Sequence, residues 1–181
     1  GSFHHRALFT GANVRKAVNS GHAQYVPIFL GEIPRLFQSG AYPVDVAIIS
    51  VSPPDEYGFC TLGAGVDITK AACEAAKYVI AEVNPNQPRS LGNSFLHVNK
   101  IHQLVEVNTP LPEYKPEQMT DVHKKIGEHC ASLIEDGATL QMGIGAIPDA
   151  VLGYLQDKND LGIHTEMFSD GLLSLVKVGI I

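Results

Sequence analysis

Thr139-Leu-Gln-Met-Gly-Ile-Gly-Ala-Ile-Pro-Asp-Ala-Val-Leu152 is the stretch on which the fold turns. Ala138–Met142 reads as a strand, Gly-x-Gly as a tight turn, and Pro148 to Leu155 as a helix with proline near its first turn, where a missing N–H is tolerated. Strand, glycine turn and helix in succession make one step of an α/β fold. Gly143 and Gly145 allow φ > 0 and close approach of a ligand to the backbone. The free N–H groups at the helix start suit an anion, either a phosphate or a developing oxyanion. The plainer reading, a β–α turn with no ligand, stays open beside it. The segment is not the dinucleotide fingerprint, because Pro148 occupies the third glycine position.

Moving outward, Leu161 to Thr165 reads as a second strand and Gly171 to Val176 as the start of a helix. Upstream, Glu117 to Glu135 has amphipathic spacing, with Met119, Val122, Ile126, Cys130 and Leu133 at steps of three or four. Asn108–Pro116, with three prolines in nine residues, is expected to be a linker. Residues 1–107 before it alternate again. Leu8-Phe9 ends a strand, and Gly11 to Val18 turns into a helix. Gln24–Leu30 reads as a strand in which Pro27 points to an edge. Val44 to Val51, rich in Val and Ile, is expected to be a strand buried on both faces. Ser52 to Gly65, with two prolines and three glycines, is expected to be a loop. Ile68–Ala76 reads as a helix, with Tyr78–Val83 and Gln103–Val107 as strands. Only two strands follow the linker, and an isolated parallel pair cannot bury a core on both faces. Either a partner completes that unit or the chain is a fragment of something longer; the fragment is the expectation.

The 181 residues are 45% apolar and 18% charged, values of a globular chain with a sizeable core. No apolar run reaches the roughly 18 residues of a membrane helix, and the Gly1–Arg6 stretch is not expected to open a signal peptide, because a glycine, an asparagine and two basic residues soon follow Leu8-Phe9. Cys60, Cys73 and Cys130 are too scattered for a disulfide framework or a zinc pair, so a reduced, cytoplasmic setting and no metal are expected. A net charge of −6 argues against nucleic acid, but a local anion site is compatible with it.

Gly162-Ile-His-Thr-Glu-Met-Phe-Ser-Asp-Gly171 carries the remaining chemistry. Glu166 follows the end of a predicted strand, where ligands sit in open α/β sheets. The Gly143–Gly145 turn ends the preceding strand, so both belong at the same sheet edge. A carboxylate beside N–H donors suits covalent acyl chemistry. Each residue also has a structural reading: Glu166 paired with a lysine, His164 as a hydrogen-bonded core residue, and Asp170 as a helix cap. Tyr57, Phe59 and Cys60 stand equally as pocket wall or surface loop, and no histidine beside Cys60 marks it as a nucleophile.

Leu140–Val151 and Gly162–Gly171 resemble the paired motifs of the acetyl-CoA hydrolase/transferase family, which includes 4-hydroxybutyrate and acetate-linked CoA-transferases. Leu8-Phe-Thr-Gly-Ala-Asn-Val-Arg15, Val26-Pro-Ile-Phe-Leu-Gly-Glu-Ile-Pro34, Val51-Ser-Pro-Pro-Asp-Glu-Tyr-Gly58 and Leu62-Gly-Ala-Gly-Val-Asp67 extend the likeness over nearly the whole chain. The resemblance implies two CoA-transferase-like open α/β domains, the second incomplete here. Residues 1–107 would be the latter part of the first domain, 108–116 the linker and 117–181 the start of the second. It implies Glu166 as the catalytic carboxylate and Gln141 as an active-site glutamine. An oxyanion-stabilising N–H would come from Ile144 or Gly145, and Gly143, Gly145 and Ala146 would approach the cofactor. The implied activity moves CoA between an acyl-CoA and a small carboxylate of the acetate, butyrate or 4-hydroxybutyrate type through a glutamyl-CoA thioester. An acetyl-CoA hydrolase of the same fold is the alternative. CoA or acyl-CoA is then the implied substrate, with a homo-oligomer expected.

Overall fold

The computed structural model describes residues 3–113 and 118–181. The chain divides into two compact units, Gly1–Pro112 and Glu113–Ile181.

In the first unit, β1 (His5–Ala7) leads into α1 (Ala12–Asn19) and then β2 (Ala23–Tyr25). A 3-10 turn, Leu30–Glu32, opens α2 (Ile33–Gln38), followed by β3 (Val46–Val51), β4 (Phe59–Thr61), α3 (Thr69–Ala75) and β5 (Tyr78–Val83). β6 (Phe95–His97) and β7 (Gln103–Glu106) complete it. The strand expected over Gln24–Leu30 stops at Tyr25, one hydrogen bond further on (Val26 N–H to Ala7 O, 2.9 Å). Pro27, with no N–H to donate, cannot extend it.

The central sheet is parallel, in the order β3-β5-β7, with Val46 opposite Tyr78 and Ile80 opposite Gln103. One face is buried: Ala47, Ile49 and Val51 of β3 and Val79, Ala81 and Val83 of β5 pack with Cys60, Leu62, Cys73 and Leu96. The other is not. Val46 is 50% and Ile48 77% exposed, which corrects the expectation of a strand covered on both sides. Successive side chains alternate faces, and here only one face meets the core.

The segment expected as the Ser52–Gly65 loop contains β4, which pairs antiparallel with β6. Asp55 makes the turn: Oδ1 accepts from the N–H groups of Tyr57 (3.0 Å) and Phe59 (2.8 Å), and Oδ2 meets the Arg89 guanidinium at 2.6 Å. Those donors, the Phe59 N–H foremost, hold the Asp55 carboxyl below its ordinary range. Gly58 completes the turn at φ 83°, with the His97 ring packed where a Cβ would stand.

The second unit comprises α4 (Asp121–Ala131), β8 (Thr139–Leu140), α5 (Ala146–Gly153), β9 (Gly162–Ile163) and α6 (Gly171–Lys177). Thr120 and His123 close a reciprocal cap on α4. The apolar stripe read from spacing is not its packing face: Val122 and Leu133 are 65% and 83% exposed, and Met119 and Cys130 are exposed too. α4 instead packs through Gly127 and Ala131, which are buried. A Cβ on Gly127 would lie 2.8 Å from the carbonyl carbon of Ala150 in α5, so the two helices meet at a glycine. The core of this unit is Leu140, Met142, Val151, Leu152, Leu155, Leu161, Leu172 and Leu175. Among the described residues no helix is long and apolar enough to cross a membrane.

Candidate active site

β8 and β9 are short, parallel and in register, Thr139 opposite Gly162 and Leu140 opposite Ile163. Their carboxyl ends therefore open at one edge, and the Gln141–Gly145 turn and the His164–Glu166 segment leave side by side. The ladder continues past the strands through His164 N–H to Leu140 O, 2.9 Å. The Thr165 hydroxyl then donates to Met142 O at 2.8 Å, carrying the contact to the residue before Gly143.

The turn owes its shape to one glycine. Gly145 caps α5 at φ 118°, ψ 179°, a conformation open essentially to glycine alone. Gly143 has no positive φ, and a Cβ there would meet only Pro148 at an ordinary 3.7 Å, so of the two glycines Gly145 is the one that uses the freedom. Ala146 and Ile147 open α5 ahead of Pro148, so the helix starts two residues earlier than read from the sequence. The first bond into the helix is Asp149 N–H to Gly145 O. Among the described residues nothing accepts from the N–H groups of Ile144, Gly145, Ala146 or Ile147. Ala146 has a buried side chain, so only its backbone can meet a ligand.

Glu166 is exposed and, among the described residues, makes no hydrogen bond or ion pair, so the lysine-paired reading finds no partner there. Gln141 is exposed beside the turn, as is His164, whose core reading is thereby corrected. Asp170 precedes α6 without capping it by its side chain. Ser169 takes that role instead: its Oγ accepts from Gly171 N–H (3.2 Å) and donates to Asp149 Oδ1 (2.8 Å). A cleft of about 620 Å³ opens here, lined by Ile144, Gly145, Asp149, Met167, Phe168 and Ser169. Glu166 sits beside its wall in sequence but does not itself line it.

The first unit holds the other candidates. Tyr57 and Phe59 are exposed, Phe59 edge-on to the His97 ring at 4.9 Å. Cys60 is fully buried, and burial pushes its thiol up, away from nucleophilic use. Sequence reasoning overlooked the parts played by Thr165, Ser169 and Asp149. All three lie inside the quoted motifs as hydroxyl or acid next to a turn, which was the available signal.

A family model for the acetyl-CoA hydrolase/transferase N-terminal domain matches residues 2–113. A 4-hydroxybutyrate coenzyme A transferase of Clostridium kluyveri is 60% identical over 179 residues, spanning 99% of this chain and 42% of that protein. A succinyl-CoA:acetate/propanoyl-CoA:succinate CoA transferase of Fasciola hepatica is 48% identical, over 100% of this chain and 38% of that protein. The crystal structure of a 4-hydroxybutyrate CoA-transferase from Porphyromonas gingivalis superposes with a TM-score of 0.83 at 42% identity, covering 98% of this chain and 47% of that one. The chain thus spans less than half the length of these relatives, as expected for a fragment. With the motifs, the open α/β sheets and the matched domain in agreement, the chain belongs to the acetyl-CoA hydrolase/transferase family.

Proposed function

We propose that the protein containing this chain is a CoA-transferase in which Glu166 carries CoA between an acyl-CoA and a small carboxylate of the acetate, butyrate or 4-hydroxybutyrate type. One observation carries the reading: the register of β8 and β9 brings the Glu166 segment to the same edge as the Gly145 turn and its unbonded N–H groups. The family membership supports it, as do the relatives named for CoA transfer. A homo-oligomeric, cytoplasmic enzyme is part of the same reading.

The Glu166 carboxylate attacks the thioester carbonyl carbon, the C–S bond breaks, and CoA leaves as thiolate, giving a mixed acyl anhydride. The thiolate then attacks the glutamyl carbonyl. The anhydride C–O bond breaks, releasing the donor's acid as carboxylate and leaving a glutamyl-CoA thioester. An acceptor carboxylate runs the same steps backwards. Each attack places negative charge on a carbonyl oxygen, and one backbone N–H aimed at it contributes about 10²–10³ in rate. Ile144 and Gly145 supply such donors, with Gln141 beside them. Asp149 in the first turn of α5 adds a negative charge nearby, but its Oδ1 is engaged by Ser169. Transfer outruns hydrolysis to the extent that the closed site excludes water.

The test is chemical. Full-length protein incubated with acyl-CoA and treated with borohydride should show, by peptide mass spectrometry, one glutamate reduced to the alcohol, at Glu166. Glu166→Ala should lose roughly 10³-fold or more in turnover. Reduction at another residue, or an active alanine variant, rejects the assignment. Acetate-dependent formation of acetyl-CoA separates transferase from hydrolase.

A further inference from the structure

The strands that position Glu166 are two residues long, with two residue pairs between them, too little ladder to fix a loop. Past one further backbone bond, His164 N–H to Leu140 O, what continues it is side-chain chemistry. Thr165 Oγ1 donates to Met142 O at 2.8 Å and lies 3.4 Å from the Met167 N–H it accepts. One partly buried hydroxyl therefore closes a turn whose middle residue is Glu166 and ties that turn to the strand end entering Gly143. At the far side of the loop Ser169, buried, ties to Asp149 in the first turn of α5. Between the ties Glu166, Met167 and Phe168 are exposed. The loop is thus pinned at both ends to the two flanks of the Gly145 turn: the strand entering it and the helix leaving it.

We propose that Thr165 and, secondarily, Ser169 are positioning residues that set the Glu166 carboxylate against the N–H groups of the Gly145 turn. The inference rests on the reading of Glu166 as nucleophile. Neither hydroxyl touches the reacting atoms. Loss of the Thr165 bond frees the backbone on both sides of Glu166, and misplacement of about 1 Å lowers a rate by about 10²-fold with little effect on ground-state binding.

The experiment compares wild type, Thr165→Val and Thr165→Ser in the full-length protein. Single-turnover formation of the borohydride-trapped adduct is followed at residue 166, alongside steady-state kcat and KM and the thermal unfolding midpoint. Valine keeps the shape and removes the hydroxyl. Adduct formation and kcat should fall about 10- to 100-fold with KM for acyl-CoA nearly unchanged. Serine, which keeps the donor, should restore both to within about threefold of wild type by the same reasoning. A valine variant as fast as wild type, or a serine variant as slow as valine, overturns the proposal. If the valine chain does not fold, Ser169→Ala carries the same comparison with a smaller expected loss, and wild-type adduct formation there overturns it. A wild-type adduct on a residue other than Glu166 rejects the nucleophile instead, so the two failures are distinct.

Discussion

The two units hold their backbones by different means. In the first, β3, β5 and β7 form a parallel ladder with six residue pairs between β3 and β5, and one face of it anchors a core of eleven buried residues. In the second, a core of ten buried residues is just as present, but β8 and β9 share only two pairs, and the strand ends are held by hydroxyl and carboxylate ties and by helices closing on glycine. A long ladder fixes its strands whatever the side chains do. A short one leaves the geometry of the following loops to individual residues, and those loops carry Glu166. The proposed active-site edge thus lies where single substitutions have the greatest hold on backbone position.

That contrast can be broken most severely at Gly127. Val at this position overpacks the α4–α5 contact and should cost about 3 kcal/mol or more, concentrated in the second unit. Hydrogen exchange should show α4, α5 and α6 amides opening while β3 and β5 stay protected, and uniform loss across both units would contradict the distinction. Gly145→Ala comes next, at about 1–3 kcal/mol, because φ 118° is strained for any side chain. Gly143→Ala, with no positive φ to satisfy, should be near neutral in a urea melt.

Each unit also has an acid clamp with a depressed carboxyl, Asp55 in the first and Asp136 in the second, which sharpens the comparison on the pH axis. Asp136 is held low first by the Asn159 backbone N–H and then by its side chain, as Asp55 is by Phe59, Arg89 and Tyr57. A carboxyl whose folded pKa is depressed lends stability above its unfolded value, near pH 4, and loses it as pH falls through the folded value. Asp55→Asn and Asp136→Asn should therefore be less stable than wild type at neutral pH and converge with it in acid. A gap that persists at pH 2 would mean the contribution is not the charge. The smallest effect is chemical labelling. Cys130 of the second unit is exposed, whereas Cys60 and Cys73 of the first are buried, Cys73 pushed up to about 11 chiefly by desolvation. A thiol reagent at pH 8 should modify Cys130 alone until the chain is unfolded.

Much of this was legible in the residues, and the misses share a cause. Tyr78–Val83 was read with its observed bounds, because an apolar run between turn signals has few alternatives. Strand, glycine turn and helix over 139–152 were read in order. β4 escapes a sequence reading because three residues after a Pro- and Gly-rich turn leave no period to detect, while Asp55 organises that turn through local bonds to Tyr57 and Phe59 and one long-range contact with Arg89. The stripe on α4 was correctly periodic, yet its packing face follows Gly127 and Ala131, since close helix approach favours small residues over large ones. For the candidate site, Glu166 and the turn were visible as motifs. The ties of Thr165 and Ser169 were not, because a hydroxyl's partner is fixed by tertiary register.

The bare face of β3 has a consequence for handling rather than for catalysis. Val46 and Ile48 present branched hydrocarbon to water from a parallel sheet, the kind of surface that finds another copy of itself. At pH 7 a net charge of −6 keeps copies of residues 1–181 apart. Near the isoelectric point of about 5.7 that repulsion vanishes. The isolated span should show a solubility minimum there, redissolving on either side, and Ile48→Lys should both shift and shallow it.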